Sequence, residues 1–425
     1  MPEQQLAAMM DPSMDRGDLA RAIMAAAGDP RTGLHGYATW PVDERTWMLQ
    51  LFPTNVGVFE TDEGVVLVDT GCPGDATTLL HAVRELTSAP LHTVVYTHGH
   101  LDHAFGLRKL LEDGERPRII AHENTPARFE RYMRTAGYNA RINSVQFQQD
   151  VERIWWPRTR EDFDWPTETY RDRLELEIGG ESFVLHHGKG ETDDATWVVV
   201  PGRSVLACGD FWFGVAPNCG NPQKVQRYPV EWAAVAEEMA AVGAEHLFPG
   251  HNAYQRGADD IRRLFLDQAA YLGAIIEQTF EALNACLPHD EIVAAVSVPE
   301  SLRDNVFLQP VYDRPEFIAR NLIRRYGGWW SGYASELLPA TMREQAEFVA
   351  GLAGGPAALA GRAAQLAADG ELVLACHAAE WALLAGPDDA EARRVAADVF
   401  EQRARGEPSL MARSIFRALA RSAGA

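Results

Sequence analysis

The chain has few basic residues and no long apolar run. It contains 39 lysine and arginine residues against 60 aspartate and glutamate residues among 425, which gives a formal net charge of −21. A surface of this kind repels polyanions, so we predict that no nucleic acid is a partner. No segment approaches the roughly 20 consecutive apolar residues of a membrane helix, so we predict no membrane span.

Cysteine is also scarce, and the start of the chain lacks the features of a signal peptide. The five cysteines are far apart and form no CxxC pair. This spacing argues against a disulfide framework and against a structural zinc ribbon. Residues 1–30 carry acidic residues such as Asp11 and Asp15 and no apolar core. We interpret them as an N-terminal extension and expect a cytoplasmic protein.

The length and the hydrophobic pattern predict two domains. A chain of 425 residues exceeds what one hydrophobic core usually supports. Short β-rich runs such as 65–69 and 93–97 alternate with helical stretches such as 75–86, which indicates a layered α/β domain over residues 31–256. Beyond this point strand patterns nearly vanish, so residues 257–425 are predicted to form a helical domain.

The densest group of potential metal ligands lies between His98 and His103. This segment reads His-Gly-His-Leu-Asp-His and follows an apolar strand. Loops that leave a buried sheet commonly carry functional side chains. Imidazoles suit zinc and similar divalent ions, and a neighbouring carboxylate can hold a second ion close by. The alternative, a polar turn whose histidines bond to the backbone, suits a lone His-x-His better than this longer motif.

The His-x-His-x-Asp-His motif resembles that of the metallo-β-lactamase superfamily. The resemblance implies a four-layer αββα catalytic domain with a two-metal site, followed here by an all-α helical domain. It also implies roles for single residues elsewhere in the chain. Asp69 would lie behind the metal histidines and orient them. Asp210 would bridge both metals, and His251 would be the final histidine ligand.

Glu191 stands where most members of that superfamily have a histidine. It resembles the alkylsulfatase branch, in which a glutamate takes this place and the bridging carboxylate follows at the same separation as here. Among the implied ligands, we expect Asp102 and Asp210 to act in catalysis. The first metal would be held by His98, His100 and Glu191, and the second by Asp102, His103 and His251. Both metals would share Asp210.

Two divalent ions are therefore the expected cofactors. Zinc is the default from the ligand types, and manganese or iron are alternatives because three ligands are carboxylates. Those carboxylates offset most of the metal charge and leave a net positive site. Such a site favours a bound hydroxide and an anionic substrate group.

The resemblance to alkylsulfatases continues into the helical half. The segments that begin at Tyr312 (Tyr-Asp-Arg-Pro-Glu) and at Tyr326 (Tyr-Gly-Gly-Trp-Trp) look like parts of the alkylsulfatase dimerisation domain. The resemblance implies a homodimer. It also leads us to expect that the chain lacks the sterol-carrier-like domain that follows in family members and is thought to supply hydrophobic substrate binding.

Residues after Asp210 are candidates for substrate binding. The family carries an asparagine and a downstream arginine associated with the sulfate, and Asn218 and Arg227 lie where such a pair would fall, with different residues between them. Lys224 could supply an equivalent cation without the planar fork of arginine. A solvated surface loop is the alternative for Lys224 and Arg227.

Aromatic residues are candidates for the wall of an apolar pocket. Phe211, Trp212 and Phe213 directly follow the bridging aspartate and would favour an alkyl or aryl group if they lined the site. Core packing is the alternative for them. Trp155 and Trp156 are weaker candidates for the same role.

We therefore expect a metal-dependent hydrolase of a small ester that has an anionic group and an apolar group. Alkyl sulfates are the favoured class, with attack by a metal-activated bridging hydroxide. The same fold could instead hydrolyse a lactone, a thioester or a phosphodiester. A third hypothesis is a non-catalytic interaction protein, because the last helices resemble tetratricopeptide-type repeats. The intact ligand set argues against it.

Overall fold

The computed structural model describes residues 36–424, and the predicted extension over residues 1–30 lies outside them. Seven consecutive strands form the first sheet in sequence order. Strands one to four pair antiparallel and strands four to seven pair parallel. They are β1 (Ala38–Asp43), β2 (Thr46–Gln50), β3 (Asn55–Thr61), β4 (Gly64–Val68), β5 (Leu91–Val95), β6 (Arg118–His122) and β7 (Glu168–Tyr170).

The second sheet contains the remaining six strands, in reverse sequence order. They are β8 (Arg173–Ile178), β9 (Glu181–His187), β10 (Thr196–Val200), β11 (Val205–Gly209), β12 (His246–Pro249) and β13 (Gln255–Arg256). Neighbours pair antiparallel except β11 and β12, which are parallel.

Helices that connect these strands cover the outer face of each sheet. They are α1 (Ala76–Leu86), α2 (Leu101–Ala104), α3 (Arg108–Glu112), α4 (Thr125–Arg134), α5 (Ala136–Phe147) and α6 (Pro229–Ala240). Shorter 3-10 turns occupy Pro73–Asp75, Val151–Arg153, Arg160–Asp162 and Pro201–Arg203.

Three apolar cores separate the layers of this part. Residues from both sheets, such as Phe59 and Phe183, pack against each other with ring centroids 5.6 Å apart. A second core lies between the first sheet and α1, α3, α4 and α5, and a third between the second sheet and α6. Each large apolar side chain buried in these cores contributes about 1.5–3 kcal/mol of transfer free energy. The helix, sheet, sheet, helix order confirms the predicted four-layer fold.

The rest of the chain is helical, as predicted. Its helices are α7 (Ala258–Asn284), α8 (His289–Ala295), α9 (Glu300–Arg303), α10 (Pro315–Tyr326), α11 (Met342–Ala353), α12 (Pro356–Ala368), α13 (Leu372–Ala385), α14 (Ala390–Arg405) and α15 (Leu410–Gly424). Val306–Leu308 and Ala334–Glu336 form 3-10 turns. Within residues 36–424, no helix has both the length and the apolar character needed to cross a bilayer.

The helical half packs directly on the α/β half. Phe265 and Leu272 of α7 belong to the same apolar core as Trp232 of α6 and Leu247 of β12. At the other end of the chain, α15 packs against α5, and Ser414 accepts a hydrogen bond from Gln148 Nε2 at 2.8 Å. Helical residues can therefore reach the end of the sheets where loops from both sheets meet.

Strand directions explain why the candidate ligands meet. The parallel strands β4 and β5 end at the same edge of the first sheet, just before Asp69 and the His98–His103 segment. In the second sheet, β9, β11 and β12 run in one direction, and Glu191, Asp210 and His251 follow them. A hydrogen bond of 2.7 Å from Thr196 N to Thr97 O joins the two sheets at this edge.

Candidate metal centre

Two clusters of metal-ligating side chains lie side by side at this edge. In each cluster, every residue offers a ligand atom within 4.8 Å of those of the others. Nε2 of His98 lies 2.8 Å from Nδ1 of His100, so two imidazole nitrogens converge in the first cluster. The clusters consist of His98, His100, Glu191 and Asp210, and of Asp102, His103 and His251.

Asp210 faces both clusters. Its Oδ1 lies 3.3 Å from Nε2 of His103 and 3.4 Å from Nε2 of His251, whereas its Oδ2 lies 3.7 Å from Nε2 of His98. Asp102 approaches the second cluster from the open side, with Oδ2 3.6 Å from Nε2 of His251. This arrangement allows one carboxylate to serve two ions, as a bridging ligand does.

Two glycines allow the backbone to bring Asp210 into this position. Gly209 has a φ of +52°, and a Cβ there would lie 2.8 Å from the side chain of Thr97. A Cβ at Gly250 would collide with Oδ1 of Asp210. Position 209 therefore requires glycine because its φ is positive and Thr97 lies close by, and position 250 requires it because the end of β12 approaches the end of β11.

Asp69 orients the histidine segment from beneath. Its carboxylate accepts hydrogen bonds of 2.7 Å from both the backbone N–H and the hydroxyl of Thr97, and it lies 2.8 Å from Nδ1 of His103. Nδ1 of His251 lies 2.9 Å from the carbonyl of Pro53. Because a carbonyl or carboxylate accepts the Nδ1 proton, Nε2 of each ring keeps its lone pair for a metal.

Replacing Asp69 with asparagine should weaken metal binding about 10–100-fold, because an amide cannot accept all three hydrogen bonds and so loosens His103. Competition with a chromogenic chelator would measure the affinity. Asp62→Asn is a matched control, since that carboxylate is exposed and pairs with Arg45 at the surface. An affinity within twofold of the control would contradict the orienting role.

A second buried carboxylate supports the same segment from the other side. Asp194 accepts hydrogen bonds from Gly99 N at 3.0 Å, Thr125 Oγ1 at 2.9 Å and Arg128 Nε at 2.9 Å. Burial alone would raise the pKa of Asp194, but Arg128 and His98 lower it to about 2. Sequence reasoning missed Asp194 and Arg128, although the position of Asp194 three residues after Glu191 was a usable signal.

The donor set fits divalent cations. Burial and the neighbouring His103 lower the pKa of His98 to about 4, which leaves a neutral imidazole suited to a metal. Burial alone would lower the pKa of His103, but Asp210, Asp69 and Asp102 raise it, so the surroundings favour positive charge. Nε2 of His103 and Oδ1 of Asp210 are buried without a hydrogen-bond partner among residues 36–424. A cation between them would satisfy both.

A cleft of about 570 Å³ opens directly over the clusters. Three predicted substrate-binding residues, Asn218, Lys224 and Arg227, lie on its wall. Asn218 Nδ2 donates to Oε1 of Glu191 at 2.5 Å, and Arg227 forms an ion pair with the same oxygen. Lys224 Nζ donates to Oδ1 of Asn143 at 3.0 Å. These positions do not fit the alternative interpretation of Lys224 and Arg227 as parts of a solvated surface loop.

The predicted wall residues Phe211, Trp212 and Phe213 lie beneath the cleft, and Phe211 lines a small pocket with His98, Glu191 and Asp210. The three aromatic side chains are at most 7% exposed, pack in the core beneath the second sheet and do not line the cleft. The carbonyl of Phe211 also accepts a hydrogen bond from Trp232 Nε1. The chain turns inward after Asp210, so these rings complete the core. The aromatic residues that line the cleft are Tyr132, Tyr138, Phe147, Trp155, Trp156 and Tyr312.

Helical residues hold the segment that carries Asn218 and Arg227. Asn321 Nδ2 donates to the carbonyls of Cys219 at 2.8 Å and Arg227 at 3.0 Å. The carboxylate of Asp313 accepts a hydrogen bond from the backbone N–H of Gly220. The Cα of Gly220 lies too close to the α10 backbone to carry a Cβ. Sequence reasoning assigned this part of the chain to dimerisation and missed its contact with the site.

Asp313 should make stability depend on pH. Burial raises its pKa to about 7, from about 4 in an unfolded chain. The protonated form therefore stabilises the fold below about pH 4, and this contribution is lost as the pH rises through 7. We expect the wild-type chain to lose stability relative to Asp313→Asn as the pH rises from about 4 to about 7. Urea unfolding at each pH measures this, and a constant difference would refute it.

Comparison with known proteins agrees with the fold. Residues 49–251 match the model of the metallo-beta-lactamase superfamily, and residues 288–424 match the model of the alkyl sulfatase dimerisation family. Residues 49–251 thus form a metallo-beta-lactamase domain. The alkylsulfatase-type dimerisation domain follows the metallo-beta-lactamase domain, which confirms the resemblance seen in the sequence.

Two curated relatives of the chain, both from Pseudomonas sp., are alkylsulfatases. A linear primary-alkylsulfatase is 27% identical over 81% of this chain and 69% of its own length. An (R)-specific secondary-alkylsulfatase is 24% identical over 83% of this chain and 57% of its own length. The chain is thus homologous to alkylsulfatases and spans a little more than half to about two thirds of their length.

A solved structure shares the fold across both domains. The stereoselective inverting sec-alkylsulfatase from Pseudomonas sp. aligns with a TM-score of 0.80 over 92% of this chain and 66% of its own. At 21% sequence identity, this match establishes a shared architecture.

Proposed function

We propose that the protein is a dinuclear metal-dependent hydrolase of alkyl sulfate esters. The observation that carries the proposal is the pair of ligand clusters on either side of Asp210, at the floor of a cleft. The two alkylsulfatase relatives favour sulfate esters over a lactone, a thioester or a phosphodiester.

Residues of the chain would position the metal ions and the anionic group of the ester. Two divalent ions, held by the seven clustered side chains, would supply Lewis acidity and a water that is deprotonated at neutral pH. Arg227 is 2% exposed, lines the cleft beside Glu191, and its Nε has no hydrogen-bond acceptor among residues 36–424. This unused donor, together with Asn218, would hold the anionic group of the ester next to the clusters.

The walls of the cleft suit the other part of such an ester. Ile142, Trp155 and Trp156 line it and can pack against an alkyl chain. Asp102 and Glu191 are its only acidic lining residues among those described, and both belong to the metal clusters. The cleft thus has an apolar wall and few acidic groups, although the chain as a whole has a net charge of −21. This combination attracts an anionic amphiphile to the cleft.

Release of inorganic sulfate from primary and secondary alkyl sulfates tests the proposal. The protein would be purified with its metal content measured, and lactone, thioester and phosphodiester substrates would be assayed in parallel. We expect sulfate release that Asp210→Ala abolishes. Turnover of another ester with no sulfate release, at two metals per chain, would overturn the substrate assignment and keep the metal centre.

We also propose that the protein is a homodimer. Several large apolar side chains between α10 and the end of α11 are exposed, which is typical of an interface and not of a solvated surface. Phe348 and Leu352 lie one turn apart on α11 and are 69% and 75% exposed. We call this surface the apolar face, and its members are Trp329, Trp330, Leu337, Leu338, Met342, Phe348 and Leu352.

A further inference from the structure

Three cations that line the cleft have no acidic partner in the described part of the chain, and one of them, Arg324, donates to the amide oxygens of Gln226 and Asn321. Among residues 36–424, no carboxylate lies within ion-pair distance of Lys224 or Arg131, although the chain is rich in acids. Lys224 Nζ donates to the amide oxygen of Asn143 at 3.0 Å, and Arg131 lies over the ring of Tyr132. Placing an unpaired charge in a partly buried cleft costs free energy unless a ligand compensates it.

Contacts along α5 place Lys224 away from the floor of the cleft. Gln146 is 3% exposed and donates to the hydroxyl of Tyr312, whereas Tyr138 is 60% exposed and donates to the carbonyl of Gln223. The wall therefore runs from the interior at Gln146 to solvent at Tyr138. Asn143, the partner of Lys224, lies between them, about 5 Å from Gln146 along the helix axis.

Arg131 occupies a similar position on α4. It follows Arg128 by three residues, which is close to one helical turn. Arg128 is 5% exposed and binds Asp194 directly behind the histidine segment, whereas Arg131 is more exposed and lines the cleft. Among residues 36–424, neither Lys224 nor Arg131 makes a hydrogen bond or ion pair to a residue of the metal clusters, whereas Asn218 and Arg227 both contact Glu191.

We infer that Lys224 and Arg131 form a second anion subsite, which binds a carboxylate or a further sulfate at the far end of the substrate. The inference rests on the proposed function. Arg227 and Asn218 beside Glu191 account for one anionic group at the floor. The apolar wall of Ile142, Trp155 and Trp156 suits the alkyl chain that would link the two ends. The favoured substrates are then alkyl sulfates that carry a terminal anion.

Matched substrates test the subsite. Alkyl sulfates of four to ten carbons would be compared with sulfates of the same length that end in a carboxylate. We expect kcat/KM to be at least about tenfold higher for the best terminal carboxylate, as for a charge-assisted hydrogen bond. Lys224→Met and Arg131→Met should remove this preference, so that the two substrate series are turned over with similar kcat/KM. Lys109→Met, an exposed lysine paired with Glu112, is the control.

Two outcomes would overturn the subsite. One is a wild-type enzyme that turns over both substrate series equally well. The other is an equal loss for both series in Lys224→Met, which would place this cation at the ester sulfate.

Calorimetric binding of dicarboxylates and monocarboxylates of equal length separates this inference from the proposed function, because it needs no turnover. Tighter dicarboxylate binding that Lys224→Met abolishes supports the subsite even if no sulfate is released from any ester. Equal binding of both ligand series refutes it even if sulfate release is confirmed.

Discussion

Alanine at position 210 should lower sulfate release by more than about 100-fold and reduce the bound metal to less than two ions per chain. Asp210 is the residue whose two carboxylate oxygens face the two clusters, so its removal affects both at once. The loss should exceed the roughly 10–100-fold effect of removing a group that only orients a ligand. Metal analysis after gel filtration and an initial-rate assay would measure the two effects.

The same experiment needs a control for folding. Asp62→Ala removes an exposed carboxylate far from the clusters and should match the wild type in metal content and rate. Circular dichroism of both variants would verify the fold. Retention of two metals together with full activity in Asp210→Ala would refute the assigned role of the bridging carboxylate.

Glutamate at both Leu338 and Phe348 should convert the dimer into monomers. Leu338 is 91% exposed and Phe348 is 69% exposed, so these changes introduce charge into the apolar face without disturbing the core of one chain. Each residue that acts as an interface hot spot contributes at least about 2 kcal/mol, or roughly 30-fold in Kd. Sedimentation velocity over a concentration series would measure the shift.

Exposed apolar residues elsewhere on the chain provide a matched control for this change. Val306 and Leu419 are 58% and 42% exposed and lie outside the apolar face. Glutamate at both positions should leave the dimer intact. A wild-type chain that sediments as a monomer at all concentrations would refute the proposed homodimer, and an intact dimer in the Leu338 and Phe348 variant would exclude the apolar face as its interface.

Local patterns determined much of the fold. The helices Pro315–Tyr326 and Ala390–Arg405 lie in the part of the chain that the hydrophobic pattern predicted to be helical, because that pattern reflects local structure over a few turns of chain. Asp69 and the His98–His103 segment follow the parallel strands β4 and β5, and they lie at one edge of the first sheet because parallel strands end on the same side. The individual ligands, the domain limits and the cytoplasmic location stay predictions.

Tertiary packing decided what surrounds these residues. The direction in which the chain turns after Asp210 places Phe211 to Phe213 in the core, and nothing in their order along the chain indicates it. Asn321 and Asp313 reach the site from about a hundred residues away. Lys224 faces the cleft because α5 and the segment after β11 pack together. Contacts of this range depend on how whole layers fit together, which no short stretch of sequence encodes.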